Sequence, residues 1–317
     1  MSNELTTQKQ KFSVAITTDT YKNLINNTLG DPERSRRFIA AITSAVAVNP
    51  DLQECTPGTI LAGALLGESL NLSPSPQLGQ YYLVPFKKTL KGSDGKTLYI
   101  LNENGEHVLD EKGKWKAQTV TNATFVMGYK GYIQMAIRTN QYKDLDVLEI
   151  RDGEYLGRDP DTGKPRFRFI ESDEDRYNRK VVGYLAYFEM LNGFKKTLFW
   201  SKSKMLNHAD KYSPAFSAQM MLKIEKGEIP QDQLWKYSSY WYTDFDGMAK
   251  KTMLRQLLDK WGVMSADMQQ AFVNDSSVIR INEDGSFTGE NADTVPDEII
   301  VDEPAPTNQD AISLKDL

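Results

Sequence analysis

Apolar residues recur at helical spacing at Phe38, Ile39, Ile42 and Val46, directly after Asp31-Pro32-Glu33. A capping Asp, a Pro at the first helical position and an acid in the first turn predict that a helix starts there. Thr56-Pro57 opens a second helix over residues 58–70, in which Ala62, Gly63, Ala64 and Gly67 leave room for close packing. The period then falls to two. Residues 80–86 read as a strand, and residues 120–126 as another with polar and apolar positions alternating. Residues 145–150, 181–191 and 195–200 continue the strand pattern, and Asn192-Gly193 joins the last two as a hairpin turn, so an antiparallel sheet is expected. Ser201 caps a helix running through His208, and residues 244–261 form the clearest helical tract in the chain.

The stretches between these elements decide the organisation. Residues 87–117 hold Gly92, Gly95, Gly105 and Gly113 among many charges, with Leu98-Tyr99-Ile100-Leu101 as the apolar patch. About 30 structureless residues inside a compact domain would be unusual, so a protruding β-hairpin finger is predicted. No internal repeat is read from the sequence. Residues 1–30 are Thr-, Asn- and Gln-rich and read as a flexible arm with at most one short helix, suited to reach a neighbouring subunit. Beyond Met264 the periodicity decays into Asp, Glu, Asn, Pro and Gly, which predicts a disordered tail. The expected fold is α+β: a helical N-terminal lobe, a small antiparallel sheet with its finger, and packed helices. Its divisions are an arm at 1–30, a core at 31–264 and an acidic disordered tail at 265–317.

Charge changes this picture once it is divided. The net charge of −5 argues against a polyanionic partner. From Ser265 onward, however, 12 Asp and Glu stand against Arg280 and Lys315, and the remainder carries 36 basic and 31 acidic residues, or +5. A mildly basic body with an acidic arm is implied, and such an arm also shields a basic groove in cis. One cysteine, Cys55, excludes an internal disulfide, and with only His107 and His208 no zinc cluster is expected. No apolar run approaches the roughly 20 residues of a membrane span and no signal peptide is read, so a cytoplasmic location without a membrane partner is expected.

The most informative stretch is 127–138, Met-Gly-Tyr-Lys-Gly-Tyr-Ile-Gln-Met-Ala-Ile-Arg. On a helix, Tyr132, Ile133, Ala136 and Ile137 share one face, while Lys130, Gln134 and Arg138 recur every four residues on the other. That stripe reads as a phosphate track or as an ordinary solvated face; Tyr129 is suited to stack on a base. The Gly-Tyr-Lys-Gly run lacks the spacing of a triphosphate-binding loop. In residues 244–261, Lys251 and Arg255 fall on the polar side, whereas Lys250 and Asp246 fall within the apolar arc. Two readings of Lys250 stand: an ion pair with Asp246, or a groove in which phosphate supplies the counter-charge. Lys164-Pro165-Arg166-Phe167-Arg168-Phe169 alternates cation and aromatic, putting Arg166 and Arg168 on one side of a strand. His208, Asp210 and Ser213 are neighbours in sequence, which is not the geometry of a catalytic triad; Lys211 and Tyr212 contacting DNA, or a plain helix end, are the better readings. Asp244 and Asp246 point about 200° apart on a helix and make poor partners for two-metal chemistry.

Three segments carry a resemblance: residues 82–86 with 127–138, residues 208–214, and residues 241–265 with Asp244-Phe245-Asp246-Gly247-Met248-Ala249-Lys250-Lys251-Thr252. Together they resemble the RecT family of phage recombinases across most of residues 35–270. The family usually has Ala where Gly247 stands. The resemblance implies binding of single-stranded DNA and annealing of complementary strands without ATP, by a homo-oligomer forming rings or helical filaments in a bacterial host. It implies no catalytic residue and no required cofactor or metal, magnesium serving only as a modulator of DNA binding. The partners it implies are single-stranded DNA, the annealed duplex and, through the tail, a phage 5′-to-3′ exonuclease and the host single-strand binding protein. The DNA-contacting set becomes Tyr129, Lys130, Gln134, Arg138, Lys211, Lys250, Lys251 and Arg255, with Arg166 and Arg168 as additions. A structural assembly protein with an incidental basic surface is the alternative, and a metal-dependent nuclease a third reading that no sequence feature favours.

Overall fold

A computed structural model describes residues 12–92, 94–282 and 285–291 of the chain, which falls into two compact units. The first takes the described residues through Met127 together with those from Val273 onward; the second is Gly128–Phe272.

The first unit opens with α1 (Phe12–Ala15), α2 (Asp19–Leu29), α3 (Pro32–Val48) and α4 (Pro57–Ser69). Phe12, Ala15, Ile16 and Ile25 are buried. The flexible arm expected at 1–30 is therefore packed helix from Phe12 onward, its polar composition having masked the few apolar residues that anchor it; residues 1–11 lie outside the described residues. The Asp31 carboxylate caps α3 by accepting from the N–H groups of Glu33 and Arg34. Apolar on every side, α4 is buried on every side. Two of its glycines face β1 (Tyr81–Thr89): a Cβ on Gly67 would lie 2.4 Å from the Tyr81 ring, and one on Gly63 2.7 Å from Leu83 Cδ2. The small residues thus do permit close packing, here of helix on strand. β1 pairs antiparallel with β2 (Thr119–Met127), in register from Tyr81↔Met127 to Thr89↔Thr119.

Between β1 and β2 the finger is not one hairpin, and a repeat is present after all. Three seven-residue turns, 91–97, 101–107 and 109–115, each bring first and last residue together, as Lys91↔Thr97, Leu101↔His107 and Leu109↔Trp115. Each has a glycine with positive φ at its fifth position: Gly95, Gly105 and Gly113. Asn102 and Asp110 occupy the same place in their turns, and each side chain accepts two backbone N–H groups of its own turn. Two closed triangles of backbone hydrogen bonds tie the turns together. In one, Leu90 donates to Gln118, Gln118 to Leu98 and Leu98 to Leu90; in the other, Ile100 donates to Lys116, Lys116 to Val108 and Val108 to Ile100. The repeat lies in turn chemistry rather than residue identity, so composition alone concealed it.

The second unit runs through α5 (Tyr129–Arg138), β3 (Tyr142–Arg151), β4 (Tyr155–Arg158), β5 (Pro165–Phe167), α6 (Asp173–Tyr177), β6 (Val181–Met190) and β7 (Lys195–Ser201). It continues with α7 (Lys202–Tyr212), α8 (Ala218–Glu225), α9 (Tyr240–Thr243) and α10 (Phe245–Trp261). β3, β6 and β7 form an antiparallel sheet with β6 central. Both faces of β6 are buried. α7 and α10 pack on the face that carries Glu149 and Tyr184. On the opposite face Ile150, Leu185 and Phe199 meet Phe167 from the ribbon of β4 and β5.

α11 (Ala266–Asn274) then leads into β8 (Ser277–Ile281) and β9 (Phe287–Asn291), which extend the first unit's sheet to the order β1-β2-β8-β9. This corrects the disordered tail expected from residue 265. Val278 and Ile279 are buried, and Asp275, read as part of an acidic tail, accepts the Met127 N–H at 2.8 Å. Residues 292–317 lie outside the described residues. They hold 7 acidic residues and Lys315, which leaves 37 basic against 36 acidic in the rest, or +1. Most of the basic excess assigned to the body disappears, so local arrangement rather than net charge must carry any polyanion site.

Candidate nucleic-acid interface

α5 follows β2 directly, entering through Gly128 in an extended conformation. Gly131, Tyr132, Met135 and Ala136 are buried, and the Tyr132 ring lies 4.8 Å from that of Phe272. Lys130, Gln134 and Arg138 are exposed along the opposite stripe. Ile137, expected on the apolar face, is 53% exposed. It sits about 100° beyond Ala136 on the wheel, past the edge of a buried arc centred on Tyr132 and Ala136.

α10 begins at Asp244, whose carboxylate accepts the Gly247 N–H at 3.1 Å. A Cβ on Gly247 would lie 2.2 Å from Asp244 Oδ2, so a larger residue there would require the capping carboxylate to shift. Lys250 makes its ion pair not with Asp246 of its own helix, which acts on it only at longer range, but with Glu149. Its ammonium lies 2.7 Å from Glu149 Oε1 on β3, with the side chain 22% exposed. Glu149 Oε2 accepts from Arg151, and Asp246 is engaged as acceptor of the Tyr184 hydroxyl. Burial by itself would lower the Lys250 pKa; the Glu149 hydrogen bond and charge outweigh it and hold the value above that of an ordinary lysine. The same ammonium stands 5.9 Å from the centroid of the Tyr129 ring. The first residue of α5 and the central cation of α10 are thereby brought together.

The remaining α10 cations are less open than their spacing implied. Lys251, expected on the polar side, is 7% exposed, because neighbours enclose the helix well beyond its apolar arc. Arg255 is half-buried, with its guanidinium 5.7 Å from the Phe272 ring centroid. Lys211 is exposed in the last turn of α7, where a cation suits the helix C-terminus. His208 is a core residue against Trp200 and Tyr212, while Asp210 accepts the Ala218 N–H at the start of α8. Each residue of the His208, Asp210 and Ser213 group thus has its own place in helix packing or helix ends.

Arg166 and Arg168 are exposed on the β4–β5 ribbon, and Phe167 between them packs on the sheet face away from α10. The candidate residues therefore divide between two sides of the second unit: α5, α7 and α10 on one, and the ribbon on the other.

The sequence reading missed the anions that organise this unit. Glu149 shares the inward face of β3 with buried Val147, so a carboxylate at a core position was the available signal for the partner of Lys250. Glu154 is fully buried and receives Arg176 at 2.7 Å and the Arg151 N–H at 2.7 Å. Burial opposes its ionisation, yet the hydrogen bonds from Arg176 and backbone amides win and hold its pKa below the ordinary 4.5. Among the described residues no group of three or more His, Cys, Asp or Glu could hold a metal ion, and no helix is long and apolar enough to cross a membrane.

The family model described as RecT family matches residues 36–288 of the chain. Bacillus subtilis (strain 168) has a similar protein, described as uncharacterized protein YqaK, which is 31% identical over 243 residues. That match covers 77% of this chain and 65% of the relative's length. With the family model running from within α3 to the start of β9 and taking in α4, α5 and α10, the chain belongs to the RecT family.

Proposed function

We propose that the chain binds single-stranded DNA through its backbone and anneals complementary strands without ATP, acting as a homo-oligomer. The observation that carries this reading is the α5 surface: exposed Lys130, Gln134 and Arg138 one helical turn apart, beginning beside the Tyr129–Lys250 contact, inside the family match. Annealing needs phosphates neutralised while base edges stay free, and a cationic stripe with few base-reading groups meets that need. Lys130 and Arg138 contact phosphate, and Tyr129 stacks on a base while Lys250 stays neutralised by Glu149. Lys211, Lys251 and Arg255 are supporting positions around that path. The annealed duplex remains bound as product, and magnesium modulates the phosphate contacts without being required. The acidic C-terminal segment recruits a phage 5′-to-3′ exonuclease or the host single-strand binding protein.

Sequential addition of complementary oligonucleotides to the full chain, without nucleotide, tests the reading. Duplex should form faster than in its absence, and a chain ending at residue 291 should retain the activity. Unaccelerated annealing together with no retardation of single-stranded DNA at moderate salt would refute it and favour a purely structural assembly.

A further inference from the structure

The three-turn insert between β1 and β2 exposes apolar side chains that the first unit leaves uncovered. Leu101, Leu109 and Trp115 are each more than half exposed, Trp115 at 56%. Trp115 is not loose. Its ring stacks on His107 at 4.1 Å between centroids and 24° between planes, and Tyr99 meets both rings edge-on at 5.4 Å. His107 and Trp115 hold the same place in successive turns, and the triangle of backbone hydrogen bonds through their chain neighbours Val108 and Lys116 fixes the two turns to each other. A rigid aromatic face presented to solvent loses little conformational freedom when something stacks on it.

The surrounding charge selects the occupant. Lys112, Lys114 and Lys116 flank Trp115, and no Asp or Glu occurs from Lys112 through Met127 at the end of β2. Of the two acids just before Lys112, Asp110 is turned inward on the amides of Lys112 and Lys114, which leaves exposed Glu111 against three lysines. An aromatic face set among lysines fits a ligand that is at once flat, apolar and polyanionic. We infer that the Trp115–His107 stack is a base-stacking platform for unpaired nucleotides, with Lys112, Lys114 and Lys116 on the adjoining phosphates. The inference rests on the annealing reading and deepens it. A base stacks on the platform only while it is free of its complement, so the insert favours single strands and yields them as the duplex forms.

Anisotropy titrations with the full chain, using an oligothymidylate and a base-free abasic strand of equal length at several salt concentrations, test the platform. Trp115→Ala should weaken oligothymidylate binding roughly tenfold, leaving the salt slope and the abasic affinity unchanged. Trp115→Phe should recover most of the loss, and thermal melting of both variants checks the fold. A 5-iodouracil oligonucleotide should crosslink within residues 109–116. Equal oligothymidylate affinities for the wild type and Trp115→Ala would overturn the platform while leaving annealing intact. So would an equal loss on the abasic strand, or a change in DNA-free oligomer mass, which would make the stack a contact between copies. Absence of DNA binding by the wild type would instead defeat the annealing reading and the platform with it.

Discussion

Glu149 Oε1 on β3 lies 2.7 Å from Lys250 Nζ on α10, and both side chains are less than a quarter exposed. Removing one partner strands the other charge in a poorly solvated place; removing both leaves only Arg151, the second ion partner of Glu149, without its carboxylate. Glu149→Gln and Lys250→Met should each destabilise the protein by about 2 kcal/mol. The double variant should cost less than the two together by at least about 0.5 kcal/mol. Urea unfolding of the four proteins measures the cycle; strict additivity would mean that the pair contributes nothing.

Glu154 gives a pH signature. Its folded pKa is depressed below 4.5 despite burial, because Arg176 and the Arg151 amide bind the ionised form. A depressed carboxylate stabilises the fold above its unfolded pKa, and the contribution is lost as pH falls through the folded value. Glu154→Gln should therefore lower stability at neutral pH. Plotted against pH, its unfolding midpoint should begin to converge on that of the wild type as pH falls below about 4.5, where the unfolded carboxyl titrates, and should meet it only below the depressed folded value. A gap that persisted undiminished into strong acid would assign the loss to packing.

Gly67→Ala pits a helix-propensity gain of about 1 kcal/mol against the Tyr81 ring, 2.4 Å from where the new Cβ would stand. Tyr81 is completely buried, so its ring has no free space to swing into. The steric cost should win by about 1 to 3 kcal/mol, read as a lower denaturant midpoint with unchanged m-value.

The elements that local pattern specifies were legible. Asp31 and Ser201 cap the helices their positions predict, and the strands flanking Asn192-Gly193 pair as a hairpin. What remained hidden depends on distant partners. Nothing near Lys250 in sequence names Glu149, and nothing near Phe125 announces that β8 will dock against β2 after the whole second unit has intervened. Composition misled at both ends: Phe12 and Ile25 anchor a polar segment, and Asp275 serves a backbone amide rather than a solvated tail. In the candidate site, the α5 stripe was readable from period alone. The burial of Lys251 and the opposite-face position of Arg166 were not, because each depends on which elements pack around it.

That last division decides which cations share one DNA strand. Lys130 is exposed on α5, which packs beside α10, whereas Arg166 and Arg168 lie on the ribbon that covers the other face of the sheet. Each phosphate contact to a single strand contributes about 0.7 to the slope of log affinity against log salt. If the strand follows α5, Lys130→Ala should reduce that slope by roughly 0.7. The double variant Arg166→Ala with Arg168→Ala should leave the slope as it was. The reverse outcome would move the DNA path to the ribbon. Losses from both variants would require the strand to pass around the sheet edge or the two surfaces to belong to neighbouring copies. Titrations of one oligothymidylate across a salt series, at protein concentrations where oligomer mass is constant, separate these paths, because a fold defect lowers affinity without selecting one slope.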